Sequence, residues 1–487
     1  MANVTFPFPF PDHLFALMPE IFVAVIAMAL LLFDLFIDKD KKAITAYIAI
    51  ATSVMAAVLS VQAMMPTSVS AFYGFFVLDH FAVLAKVLIC VGTAFGMILS
   101  IDYMKKEANI GEYYVLMLFS MLGMMLMVSA TNFIIMYLGL ELMALCVYVL
   151  VGYQRDVLRS NEAALKYFIL GALSSCMLLY GITFFYGVTG SFDFATIGTA
   201  LADVDANAHT AVMLGMVFII AGLGFKVSMA PFHMWTPDAY EGAPTPVTAF
   251  MSIAPKVAGF AIFIRILVDA MPSLQHEYTT ILTGMAVLTM AIGNLAAIAQ
   301  RNIKRLLAYS TIGHVGFIML GLIAANADGY AGVMVYMAIY LFMNMGVFAI
   351  IILMRRDGIQ GELLDDFAGL SRVRPGYALA MGLLMFSLAG IPFLGGFWAK
   401  YVVFMAAVEA GHLYLVLYAL LFSAVGAFYY IRVVKYIYFD EEKVAFNFTD
   451  SRLMQATIVL MTIATVALGI YPDPLIDLCK QAVVGLI

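Results

Sequence analysis

The sequence predicts an all-α polytopic membrane protein: about fourteen transmembrane helices with two inverted five-helix repeats, each containing a broken helix. Three observations predict it. Hydrophobic residues make up 64% of the 487 and charged residues only 11%, whereas a soluble globule carries about 25% charged residues; mean hydropathy is +1.00. The apolar residues fall in runs of about twenty, the length that crosses a bilayer. Two of these runs, five helices apart, are interrupted by Gly and Pro, and each carries one lysine.

Taken in order, the apolar runs centre on 14–37, 43–63, 78–101, 113–129, 131–152, 162–187, 210–229, 244–268, 277–298, 303–325, 328–354, 376–406, 412–436 and 453–472. Only Ser129–Asn132 separates the fourth from the fifth. Lys and Arg then orient the chain. With the N-terminus outside, the inner loops hold Lys39, Lys41, Lys42, Lys105, Lys106, Arg155, Arg159, Arg301, Lys304, Arg305, Arg355, Arg356, Arg372, Arg374, Arg432, Lys435, Lys443 and Arg452. These are most of the 25 basic residues, and the outer loops hold only Lys480. The positive-inside rule therefore puts both termini outside. The expected organisation is a three-helix N-terminal segment (1–112), a first repeat (113–268), a second repeat (269–440) and a C-terminal helix (441–487).

The two interrupted runs read GLGFKVSMAP at 222–231 and LMFSLAGIPFLGGFWAKY at 384–401, about 170 residues apart. An odd offset, five helices along the chain, makes the second copy point the opposite way. In inverted-repeat transporters, Gly/Pro-interrupted helices at corresponding positions mark the ion site. The stretch 222–259 concentrates the unusual residues: Lys226 and Lys256 in apolar runs, and between them a Pro/Gly-rich connector with His233, Trp235, Asp238 and Glu241.

A lysine at the centre of a membrane helix costs roughly 2.5 to 3.5 kcal/mol on insertion scales, so it faces protein or water and often marks an ion path. Basic residues within apolar runs are Lys86, Lys166, Lys226, Lys256, Arg265 and Lys400; acids in similar settings are Glu20, Asp34, Asp79 and Glu141. Asp34 and Glu20 lie near helix ends, and Arg265 is close enough to its outer end to snorkel. Lys166 follows Glu162 at i+4, the spacing of an intrahelical pair. Lys86 and Asp79 share the third helix and could face the bundle.

Glu141 is about ten residues into the fifth helix, hence about 15 Å deep. A Glu–Lys pair of variable separation can load and release a proton, because a carboxylate brought close holds an ammonium charged. The alternative is a static buried pair that fixes helix packing. His314, mid-helix in AYSTIGHVGFIML, is either a hydrogen-bonded packing residue or a relay, since imidazole carries protons near neutral pH. His233, beside Pro231 at the inner surface, reads as structural.

No Walker motif, dinucleotide fingerprint or metal-ligand cluster is present, so the chain carries no visible means of binding NADH, ATP, flavin or iron–sulfur. Cys90, Cys146, Cys176 and Cys479 are scattered without CxxC spacing and read as small core residues. No cleavable signal is apparent, and no basic aromatic surface suits nucleic acid.

The segment PFHMWTPDAYEGAPTPVTAFMSIAPKVA (231–258) resembles the signature of the antiporter-like membrane subunits of respiratory complex I, the proton-translocating NADH–quinone oxidoreductase family. NIKRLLAYSTIGHVGF (302–317) and AGIPFLGGFWAKY (389–401) match as well. The variant YEGAPTPV followed by PKV, and a lysine on the twelfth helix, are similar to the N-type among the three sister types. The resemblance implies proton translocation through Glu141, Lys226, Lys256, His314 and Lys400, a hydrated midplane row coupled to quinone reduction elsewhere. It implies no cofactor or metal in this chain, with NADH, FMN, iron–sulfur clusters and quinone in partner subunits. Membrane neighbours of the M, K and J types and a bacterial inner membrane are expected with it. Two other readings stay open: a stand-alone cation/proton antiporter with the same machinery, and a membrane scaffold whose ionisable residues only lock helices.

Overall fold

The computed structural model describes residues 12–37, 42–64, 68–104, 110–355, 361–441 and 451–486. In chain order the elements are α1 (Asp12–Ala16), α2 (Met18–Asp34), α3 (Ala43–Gln62), β1 (Val69–Ala71), β2 (Phe76–Leu78), α4 (His80–Tyr103), α5 (Ile110–Val128), α6 (Phe133–Val151) and α7 (Leu158–Thr189). There follow α8 (Phe194–Ala202), α9 (Ala206–Val227), α10 (Trp235–Gly242), α11 (Thr245–Arg265), α12 (Gln275–Ile298), α13 (Ile303–Ala324) and α14 (Ala327–Leu353). The chain closes with α15 (Leu370–Val373), α16 (Pro375–Ala389), α17 (Gly395–Glu409), α18 (Leu413–Phe439), α19 (Arg452–Ile470) and α20 (Asp473–Val484).

The protein is a helical membrane protein. Among the described residues twelve helices are long and apolar enough to cross a bilayer. The other two expected spans take different forms: the first is the 17-residue α2, and 376–406 is divided into α16 and α17, of 15 residues each. The boundary at 129–132 is where the sequence puts it, because Asn132 caps α6 by accepting from the Ile134 N–H at 2.8 Å. Such a side-chain acceptor satisfies one of the backbone donors that every helix start leaves open.

Several short elements go beyond the sequence reading, among them α8 and α10. The short antiparallel pair β1–β2 joins α3 to α4, and α20 follows the expected last span, packing on α14 and α4. Burial separates the helices into two groups. Every residue of α11 is buried, and α13 and α14 are almost wholly so, whereas the spans in α7, α18 and α19 are buried over only 39%, 33% and 33% of their membrane-crossing stretch. In a helix bundle dissolved in hydrocarbon, the inner helices are the ones that can hold charge, and α11 carries Lys256.

Segments assigned to one side by the basic-residue pattern meet each other. Arg159, Glu241, Lys304, Arg305 and Glu362 converge at one end. At the opposite end Asp79 meets Arg265, Asn132 bridges Asp193 and Lys480 pairs with Asp328 at 2.8 Å. Lys39, Lys41, Lys105, Lys106, Arg356 and Lys443 lie outside the described residues.

Candidate functional site

The first break follows Lys226 directly. Helix α9 stops at Val227 because Ser228 turns left-handed at φ 71°, and the Met229 N–H closes back on the Gly224 carbonyl at 2.8 Å. Lys226 therefore sits in the final turn of a helix that ends inside the protein. Its buried ammonium donates to Ser175 Oγ at 3.2 Å and to the Tyr148 hydroxyl at 3.4 Å. Ser175, on α7, in turn donates to Glu141 Oε1 on α6. The expected Glu141–Lys226 pair is thus bridged rather than direct. A hydroxyl suits that position, since it accepts from an ammonium while donating to a carboxylate.

Lys256 reaches the same break from the other side. Its ammonium donates to Ser228 Oγ at 2.7 Å and to the Val227 carbonyl at 3.2 Å, with the Trp235 and Tyr240 rings about it. An interrupted helix leaves carbonyls without intrahelical partners and a partial negative charge at its C-terminus. Lys256 answers both.

The second break is handled in the same way. Helix α16 ends as Gly390 adopts φ 91°, and Lys400 donates to the carbonyls of Ala389 at 2.8 Å and Leu388 at 3.3 Å, and to Ser423 Oγ at 3.0 Å. By spacing Lys400 corresponds to Lys226; by contact it does the work of Lys256, because this break precedes the lysine instead of following it.

His314 lies near Lys400 with Phe317 beside both. Its Nδ1 meets the Tyr336 hydroxyl at 2.6 Å and its Nε2 the Tyr430 hydroxyl at 2.8 Å; Tyr430 also bonds Ser310. Between this group and Lys256, Asn344 donates to Ser252 Oγ at 3.2 Å across α14 and α11, and Thr311 bonds Tyr340 at 2.8 Å. The five expected residues thus lie in three polar groups: Glu141 with Lys226, Lys256 at the first break, and His314 near Lys400. Ser175, Tyr148, Ser228, Ser252, Tyr336, Asn344, Ser423 and Tyr430 are additions the sequence reading lacked. Ser175 in an apolar helix, and Tyr336 with Tyr340 at i+4 on α14, were the available signals.

The remaining charges resolve differently from expectation. Glu20 is buried against Lys86 at 2.7 Å and is no interfacial residue. Arg265 does not snorkel: it is 2% exposed and binds Asp79 through both carboxylate oxygens, at 2.8 and 3.1 Å. Lys86 and Asp79 each pair off α4, the first to α2 and the second to α11. Asp34 bonds Lys42 at 2.9 Å at the helix end. Lys166 makes the expected Glu162 pair at 2.8 Å and adds Asp238 at 2.9 Å. Of the cysteines, Cys176 is exposed, against the core reading; Cys90, Cys146 and Cys479 are buried.

In the connector, Arg305 bonds Asp238 at 2.9 Å and Glu241 at 2.8 Å. Burial by itself would raise the Asp238 carboxyl, but Lys166 and Arg305 outweigh it and hold the group below its ordinary value. Glu362 is likewise buried yet held low by Lys304 at 2.9 Å and by Arg159. Burial holds His233 below the ordinary imidazole value, which leaves it neutral near pH 7. Among the described residues no group of three or more His, Cys, Asp or Glu is placed to hold a metal ion.

The family described as "NADH:quinone oxidoreductase/Mrp antiporter, TM" matches residues 130–426, which contain all five of these residues. The chain belongs to that family. A curated relative, NADH-quinone oxidoreductase subunit N of Paramagnetospirillum magneticum, is 45% identical over 96% of both chains. Among solved structures, a chain of respiratory complex I from Thermus thermophilus is 31% identical with a TM-score of 0.81, covering 94% of this chain and 98% of that one. A chain of the archaeal membrane-bound sulfane sulfur reductase is 25% identical with a TM-score of 0.86, covering 97% and 98%. Family membership extends across the interrupted helices and the lysines that cap them.

Proposed function

We propose that this chain is the N-type membrane subunit of a bacterial NADH–quinone oxidoreductase and moves protons through Glu141, Lys226, Lys256, His314 and Lys400. The observation that carries the reading is the treatment of the two breaks. Each interrupted helix ends inside the protein with free carbonyls, and each end is held by a buried ammonium that also touches a serine hydroxyl. An ammonium in that position can pass a proton to a hydroxyl or to entering water and recover it from the next donor, while backbone dipoles keep the site favourable for charge.

Ser175 extends the row to the Glu141 carboxylate, and Tyr336, Tyr430 and Ser310 extend it around His314. NADH, FMN, iron–sulfur clusters and quinone would belong to partner subunits, with M-, K- and J-type chains as membrane neighbours. The membrane would be the bacterial inner membrane, with both termini on the outer side by the positive-inside rule.

The repeat boundaries 113–268 and 269–440 belong to the same proposal. Supporting them, α5 crosses α6 at Gly123 and Gly139, and α12 crosses α13 at Gly293 and Gly313, where an added Cβ would strike the facing backbone or the neighbouring Asn294. Like the two breaks, these crossings lie about 170 residues apart.

The test is Lys256→Ala in the assembled complex. NADH-driven proton pumping in vesicles should fall by roughly tenfold or more, the scale of losing a positioned proton carrier; unchanged pumping would remove Lys256 from the path. The family also includes Mrp antiporters, so a stand-alone antiporter is the second reading. It predicts that the tagged chain purifies without NADH-dependent quinone reduction and exchanges cations for protons in vesicles.

A further inference from the structure

Helix α10 resumes the chain after the first break, and both of its ends are gripped. At the basic end Arg305 holds Asp238 and Glu241, Arg159 holds Glu241 at 2.6 Å and Lys166 holds Asp238 at 2.9 Å. Lys304 binds the carbonyl of Ala243, the residue that caps the helix, at 2.7 Å. At the deep end Trp235 stacks on Tyr167, with ring centroids 4.3 Å apart, and its indole N–H donates to the Phe225 carbonyl of α9 at 2.9 Å. The next residue, Thr236, is fully buried and donates to Ser228 Oγ at 2.8 Å. The same oxygen receives the Lys256 ammonium at 2.7 Å.

That bond is not the usual one for a buried threonine. Thr52, Thr93, Thr289 and Thr465 each return the hydroxyl to the carbonyl four residues back in their own helix, the local partner a helical hydroxyl finds most readily. Thr236 reaches across the break instead. A hydroxyl oxygen carries two lone pairs. Ser228 turns one to Thr236 and the other to Lys256, so the first bond fixes the direction of the second. The Ser228 backbone is set as well, left-handed at φ 71° with its N–H on the Phe225 carbonyl at 3.1 Å.

We infer that Thr236 is a positioning residue for proton transfer at Lys256: from a helix anchored at both ends, it holds the Ser228 hydroxyl in the orientation that receives the ammonium. The inference rests on the reading of Lys256 as a proton carrier.

The experiment measures NADH-driven proton pumping in vesicles, per assembled complex, for Thr236→Val, Thr236→Ser, Ser228→Ala, Thr236→Val with Ser228→Ala, and Lys256→Ala. Valine keeps the shape of threonine and removes the hydroxyl. Thr236→Val should slow pumping roughly two- to tenfold, the worth of one neutral hydrogen bond, and Thr236→Ser should restore it. In the Ser228→Ala background Thr236→Val should add no further loss, because no hydroxyl remains to be positioned. Native gels count the assembled complex, and Thr236→Ala replaces the valine variant if valine blocks assembly. Natural rates in Thr236→Val, a serine variant as slow as the valine one, or losses that multiply in the double variant would each overturn the role of Thr236. Full pumping by Lys256→Ala would instead withdraw the reading beneath it. Impaired Lys256→Ala beside a natural rate in Thr236→Val separates the two failures.

Discussion

In the proposed path, Ser175 is the residue that would turn a fixed ion pair into a relay. A direct Glu141–Lys226 contact would hold the ammonium charged at one separation. With the Ser175 hydroxyl between them, both groups keep a hydrogen-bond partner, and the hydroxyl can reverse its direction. Ser175→Ala should therefore lower pumping while sparing assembly. The loss of a charge-assisted hydrogen bond is worth about 1.5 to 3 kcal/mol, or roughly 10- to 100-fold in rate. Ser175→Thr, which keeps the hydroxyl, should recover most of it. Equal pumping by the alanine variant and the natural chain would mean that protons do not pass this hydroxyl.

At the scale of elements, buried ion pairs attach the N-terminal helices to the core: Lys86 joins α4 to α2, and Asp79 joins α4 to α11. Asp79 has a second function, since it caps α4 by accepting from the Ala82 N–H at 2.7 Å. Removing one member of a buried pair leaves an uncompensated charge, which costs about 3 to 5 kcal/mol. Arg265→Gln should thus destabilise the protein by that amount. Asp79→Asn with Arg265→Gln should recover part of the loss, because neither charge remains and asparagine can still cap the helix. Thermal unfolding in detergent measures both, and a double variant no better than the single one would assign the loss to packing.

For the whole molecule, the charges at the basic end act as a clamp. Arg159 on α7 reaches Glu362, which follows α14, while Arg305 on α13 reaches Asp238 and Glu241 of α10. Residues before 243 are thereby tied to residues after 303, across the place where the two proposed repeats meet. The clamp gives a pH dependence of known sign. The Asp238 and Glu362 carboxyls are held below their unfolded values, so their contribution is fully present above about pH 4 to 4.5. It disappears as the pH falls through their lowered folded values. Glu362→Gln should therefore lower the melting temperature at pH 7 and flatten its fall between pH 5 and pH 3. A parallel fall in the variant and the natural chain would show that Glu362 carries none of it.

Much of this architecture is written in the chain itself. Hydropathy, the positions of the apolar runs, and the Gly and Pro residues that interrupt two of them follow from local chemistry, since a bilayer imposes one length and one backbone solution on every span. Lys226, Lys256 and Lys400 were legible for the same reason: a lysine in hydrocarbon is rare enough to stand out. Their partners were not. The sequence shows that a buried charge needs a counterpart but not which helix supplies it, so Lys86 and Asp79, neighbours on one helix, find Glu20 and Arg265 on two others. Nor can it distinguish Ser175 from the other serines in apolar helices, because a hydroxyl costs little wherever it lies and matters only where two charges meet. Only the packing of α6, α7 and α11 around α9, a helix that ends inside the protein, decides that.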